Sequence, residues 1–144
     1  MKRLLTLLAL LLPAPVALAC AELEISRAWV REPPPGAPGT AAYFLIRNAG
    51  SQPVVLQGWS SPGFAHVMLH ETVMNGERAE MRHQEALELA PGGAAELRPG
   101  GLHLMLMQPG APLSAGQVVT VDFSCNGAPA QLSAPVQQEA PAQP

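Results

Sequence analysis

A single all-β domain built as a sandwich is the fold class this chain predicts, on three observations. From Leu23 onward the apolar residues fall in short runs of strand length. Between the runs stand turn pairs such as Ala49-Gly50, Pro62-Gly63, Asn75-Gly76, Pro109-Gly110 and Asn126-Gly127. No segment requires a helix, and many short strands separated by turn residues are the habit of β-sandwiches.

The chain opens on Met1 to Ala19, which reads as a secretory signal. Lys2 and Arg3 supply the charged start, Leu4 to Leu12 the apolar stretch, and Ala17-Leu18-Ala19 a small-residue cleavage site. The apolar stretch is too short for a stable membrane span. Strands are expected at Leu23 to Val30, Ala41 to Asn48, Val54 to Ser60, Ala65 to Met74 and Glu77 to Gln84. Four more are expected at Ala94 to Arg98, His103 to Gln108, Val118 to Ser124 and Ala130 to Ala134. Pro33 to Gly39 is a stiff connector, because proline cannot donate to a sheet ladder. Glu85 to Leu89 has room for one helical turn before Pro91 stops it. The expected division is residues 1–19 as signal, 20–134 as the β domain, and 135–144 as a disordered tail rich in Pro and Gln.

Charge and cysteines narrow the function class. After residue 19 there are six Arg and no Lys against eleven acidic residues, a net charge of −5. Nucleic acid is excluded as a partner, since its recognition needs a basic footprint. Two cysteines allow at most one disulfide. In an oxidising compartment a Cys20 to Cys125 bond is permitted but not demanded; Cys125 is expected to be a small buried hydrophobe at a strand end. Cleavage after Ala19 would leave Cys20 first in the mature chain and open the way to a lipid anchor and membrane contact. The lipobox match is partial, with Leu18 one place too late, and cleavage after Ala21 would remove Cys20 altogether.

The chemistry sits in His66 to Met107, which holds all four histidines and every methionine except Met1. Asn-Gly between alternating runs is a strong hairpin signal. A two-residue turn on Asn75-Gly76 sets His70 directly opposite Met81 and Met68 opposite His83, all on one face. In Leu102 to Met107 the leucines take one face while His103, Met105 and Met107 take the other. Thioether sulfur is neutral and polarisable, so a site of two His and two Met suits Cu(I) and is a poor home for Zn, Ca or Mg. Met on a strand is more often core filling. Four donors converging by register in one stretch weigh against that reading here. The candidate ligands are His70, Met81, His103 and Met105, with Met68, His83 and Met107 as accessory donors.

His70-X10-Met81-X21-His103-X-Met105 resembles the motif of the PCu(A)C-type periplasmic copper chaperones, with no departure in spacing. Arg27-Ala28-Trp29, the Pro33 to Gly39 loop and Leu97 to Leu106 resemble the family as well, and the similarity covers Glu24 to Phe123. The resemblance implies a cupredoxin-like Greek-key β-sandwich that is not an enzyme. It implies one Cu(I), delivered to a copper-accepting protein such as the CuA centre in cytochrome c oxidase subunit II or another copper chaperone. Tail-borne copper sites, known in some relatives, are not expected, because residues 134–144 contain no His, Met or Cys.

Other classes fit less well. A blue-copper electron carrier needs a Cys thiolate with two His and a weak axial Met, and no His or Met follows Cys125. Thiol redox chemistry would want a Cys-X-X-Cys pair, and no nucleophile motif surrounds any Ser. The remaining alternative is a docking sandwich whose Met-rich face binds a protein rather than a metal.

Overall fold

The computed structural model describes residues 18–142, so the expected signal segment lies outside the described residues up to position 17. A four-residue helical turn, α1 (Leu18–Ala21), is followed by ten strands. These are β1 (Leu23–Arg31), β2 (Gly39–Asn48), β3 (Val54–Ser60), β4 (Phe64–Asn75), β5 (Arg78–Gln84), β6 (Leu87–Leu89), β7 (Ala94–Leu97), β8 (Leu102–Pro109), β9 (Val118–Cys125) and β10 (Ala128–Gln137). The strand order is β5-β4-β8-β7-β2-β1-β10-β9-β3-β6, with β8 also pairing directly with β2. The two layers join where β1 runs parallel to β10, at Val30 beside Val136. The fold is an all-β, cupredoxin-like sandwich in one domain, as the sequence predicts.

Alternation along the strands builds the core. Ala42, Phe44 and Ile46 of β2, Leu69 of β4, and Leu104 and Leu106 of β8 turn inward from one layer. They meet Val54, Leu56, Trp59, Val121, Phe123, Leu132 and Val136 from the other in one apolar cluster. Trp59 stacks on Phe123 with ring centroids 4.9 Å apart. Each such side chain taken fully out of water contributes roughly 1.5–3 kcal/mol. That is what fixes which face of β4 and β8 points outward. Buried Asn48 locks the loops at one end, its side-chain amide donating to the carbonyls of Gln52, Leu89 and Ala90.

Several expectations are corrected. Leu87–Leu89 is a strand rather than a helical turn: Leu87 and Leu89 are buried, and the segment pairs with Val54 to Leu56. The strand β10 continues to Gln137 with Val136 in the core, so the expected tail from 135 loses its first three residues to the sheet. Cys125 is fully buried, as expected, but is not a lone hydrophobe: it forms a disulfide with Cys20, Cα atoms 5.9 Å apart, tying α1 to the end of β9. That separation is ordinary for a disulfide.

Candidate metal site

The site lies on the outer face of β5, β4 and β8. In the β4–β8 ladder His66 is opposite Met107, Met68 opposite Met105, and His70 opposite His103. In the β4–β5 ladder His70 is opposite His83 and Thr72 opposite Met81. Because side chains alternate, these pairings put all nine His and Met residues after Met1 on the same face, including Met74 opposite Ala79 near the turn. Core filling would have turned them inward. The inward positions of the same strands belong to Leu69, Leu104 and Leu106.

The expected pairing of His70 with Met81 is off by two residues, which keeps the face and changes the partner. The hairpin turns on Gly76 and Glu77, with Asn75 still in the ladder opposite Arg78. Gly76 has φ of 65° and Asn75 does not adopt positive φ, which fits a turn with Gly at its first central position rather than the Asn-Gly type. Met81 therefore sits diagonal to His70, on the same face and 63% exposed. Met68, in turn, is not opposite His83 but opposite Met105.

Three imidazoles form the centre. The His70 ring meets His83 edge-on at 5.6 Å between centroids and His103 edge-on at 6.1 Å. His103 is buried, and its Nδ1 lies 2.9 Å from the carbonyl oxygen of Gly101. A carbonyl can only accept, so Nδ1–H is the donor and Nε2 carries the lone pair. This His103 Nε2 and the Nδ1 of His70 are buried without any hydrogen-bond partner. An orphaned buried polar atom is expensive, about 1–3 kcal/mol, and two on one apolar face call for a ligand. Burial lowers the His70 pKa from its ordinary value, and the neighbouring His103 and His83 lower it further, so the ring is held in its neutral, ligating form.

The surroundings leave room for sulfur. Gly39 and Ala41 of β2 stand opposite Met107 and Met105. A Cβ on Gly39 would come within 2.7 Å of Met107 Sδ and 2.6 Å of the Leu106 carbonyl oxygen, so this thioether rests on bare backbone. Glu71 and Glu80 are engaged elsewhere, with Gln84 and Asn75 respectively. Among the described residues no three His, Cys, Asp or Glu side chains group to hold a metal ion by themselves. A groove of about 890 Å³ between residues 33–38 and 108–114 lies beside this face rather than over it. Sequence reasoning left two parts of the arrangement unassigned. One is Gly101, whose role is played by its backbone. The other is His66, although the spacing His66-X-Met68-X-His70 was open to view.

Fold and site together define a class: a one-domain β-sandwich presenting a soft-donor face. Residues 23–136 match the family described as "Putative lipoprotein LpqE-like", and the chain belongs to this family, which is of the PCuAC type. It is 36% identical over 117 residues to "Putative lipoprotein Lxx21020" of Leifsonia xyli subsp. xyli (strain CTCB07), covering 79% of this chain and 69% of that one. Among solved structures it is similar to the copper-bound PCuAC domain from PmoF2, with a TM-score of 0.68, 24% identity, and coverage of 83% and 94% of the two chains. It is likewise similar to CuI-DR1885 from Deinococcus radiodurans, with a TM-score of 0.64, 31% identity, and coverage of 77% and 75%.

Proposed function

We propose that this chain is an exported, non-enzymatic copper carrier. It binds one Cu(I) through His70, Met81, His103 and Met105. It then passes the ion by ligand exchange to a copper acceptor such as the CuA centre of cytochrome c oxidase or another copper chaperone. The observation that carries this reading is the pair of buried, unpartnered ring nitrogens, His70 Nδ1 and His103 Nε2, on a face otherwise made of thioethers. Support comes also from DR1885, whose Cu(I)-bound form shares this fold at 31% identity.

The donor set explains how a carrier can hold an ion and still give it up. Imidazole and thioether are neutral and favour Cu(I) over harder ions. An acceptor offering thiolate binds the same ion more firmly, so transfer runs downhill. The hydrogen bond from Nδ1–H to Gly101 fixes the His103 tautomer and ring plane, the usual way a ligating imidazole is aimed. Met105 adjoins His103 two residues along β8. Met81, on the exposed hairpin, is the donor that must swing in to close the set and swing out to release it. Export agrees with the Cys20–Cys125 disulfide, since such bonds persist in oxidising compartments. A Cys20 sulfur held in that bond has no valence left for a lipid thioether, so this reading is of a carrier without a Cys20 lipid.

Titration of the mature protein with Cu(I) against a competing chelator, beside Met81→Leu, tests the reading. One tight equivalent, weakened in the variant with circular dichroism unchanged, is expected. Absence of tight binding, or binding indifferent to Met81, would leave the Met-rich face as a protein-docking surface.

A further inference from the structure

A single ion takes at most four of the nine soft donors on this face, and three of those left over are contiguous. His66 and Met107 are directly opposite one another, and Met68 is the next outward residue along β4. From His70–His103 through Met68–Met105 to His66–Met107, three successive cross-strand rows consist of nothing but imidazole and thioether. Successive rows on one face of a sheet are about 6.8 Å apart, and directly opposed Cβ atoms about 4.5–5.5 Å. Two flexible thioethers and an imidazole at those spacings can reach a common point. The strip is also shaped for sulfur: Gly39 has no side chain where Met107 Sδ lies, and Ala41 is small beside Met105. His66 is exposed, whereas Met68 and Met107 are half-buried, so the strip opens to solvent at its His66 end.

We propose that His66, Met68 and Met107 form a second, weaker subsite for a soft monovalent cation, Cu(I) in function, that relays the ion along β4 and β8 to or from the principal site. The proposal rests on the carrier reading for its purpose, though not for its chemistry. Three neutral donors open to water bind more weakly than four that include the buried His103 and the half-buried His70, so the principal site fills first. Met105 and Met68, paired across the middle row, bridge the two positions, and an ion can change one ligand at a time without leaving the sheet. No electron changes hands and no proton is required, since every donor is neutral when it ligates.

The test uses Ag(I), a redox-inert soft monovalent ion, titrated into the full mature protein with methionine methyl and histidine ring resonances observed by NMR. The first equivalent is expected to move His70, His103 and Met105. A second, bound at least about tenfold more weakly, is expected to move His66, Met68 and Met107. In His66→Gln, an exposed change that leaves the core untouched, and in His66→Gln/Met107→Leu, the second event is expected to disappear while the first stays. A single equivalent, or a second that reports elsewhere or survives both variants, overturns the relay subsite and leaves the carrier reading standing. Loss of the first event in Met81→Leu with the second intact bears only on the principal site, so the two failures are distinct. Binding of no Ag(I) at all overturns both.

Discussion

Replacing His103 by Leu separates a ligand from a structural histidine, because the two roles predict opposite signs for the stability of the metal-free protein. In the structure His103 is 5% exposed, makes one hydrogen bond to the Gly101 carbonyl, and leaves Nε2 with no partner. Leucine removes that hydrogen bond, a loss of about 0.5–1.5 kcal/mol. The Gly101 oxygen is not orphaned by the change, since it also accepts from the Thr72 N–H at 3.1 Å. Leucine also removes the orphaned nitrogen, a gain of about 1–3 kcal/mol. The net expectation runs from about 0.5 kcal/mol against Leu to about 2.5 kcal/mol in its favour, at roughly 3–5 °C in melting temperature per kcal/mol for a domain of this size. Urea denaturation with a copper chelator present measures it, at constant slope. Addition of one equivalent of Cu(I) should then stabilise the wild type by mass action and stabilise His103→Leu far less. A metal-free variant destabilised by more than about 1 kcal/mol would refute the reasoning and make His103 an ordinary buried histidine with a needed hydrogen bond.

Three further outcomes follow from the same geometry. Gly39→Ala places a Cβ against the Leu106 carbonyl and Met107 Sδ, and the backbone cannot yield cheaply, so a loss of about 1–3 kcal/mol is expected; a neutral melt would show that the strand pair gives more easily. Cys20→Ser removes a cross-link between residues 105 apart, with an expected loss of about 2–5 kcal/mol. The same loss should appear when the wild type is reduced, and intact mass of the mature wild type should show the two cysteines oxidised with no attached lipid. The depressed His70 pKa gives a pH dependence of apo stability whose sign is fixed: the unfolded chain binds the proton more readily, so this contribution is full above the ordinary histidine value near 6.5 and declines as pH falls below it. Chelator-treated wild type compared with His70→Asn at pH 7.5 and pH 5.5 checks it, and equal slopes in the two proteins would count against a His70 held neutral by the fold.

Most of the fold was legible because period-two alternation is a local signal. What the sequence missed has non-local causes. Three residues, Leu87-Glu88-Leu89, are too few for a pattern to declare itself; they become a strand because Val54 and Leu56 offer a ladder and the core takes both leucines. Pro135 reads as the start of a tail, yet Val136 is fully buried where β1 meets β10 in parallel, a pairing no local pattern announces. The disulfide depends on where α1 lands, which residues near Cys20 do not reveal.

The hairpin error is more instructive. Asn-Gly fits a turn whether the pair fills both central positions or Asn closes the ladder and Gly stands first in the turn, and local chemistry alone does not choose. Changing from one to the other moves the cross-strand register by two residues, which is the period of the strand. Every side chain therefore keeps its face while losing its partner. His70, Met81, His103 and Met105 still share one surface, but Met81 becomes a diagonal neighbour and His83 takes the place opposite His70. A register slip of one residue would have turned one strand over, carrying its His and Met residues to the core face and its buried leucines outward. That outcome is closed, because Leu69, Leu104 and Leu106 must stay buried. The core fixes the face and the turn fixes the partner, so a soft-donor site read from alternation survives a wrong turn, whereas the roles assigned within it do not. The row His83–His70–His103, rather than the pair His70–Met81, is accordingly the arrangement against which measurements on Met81 should be interpreted. If Met81 binds copper, it does so by crossing one row of the sheet from an exposed position, and the hairpin rather than the core sets how easily the ion is released.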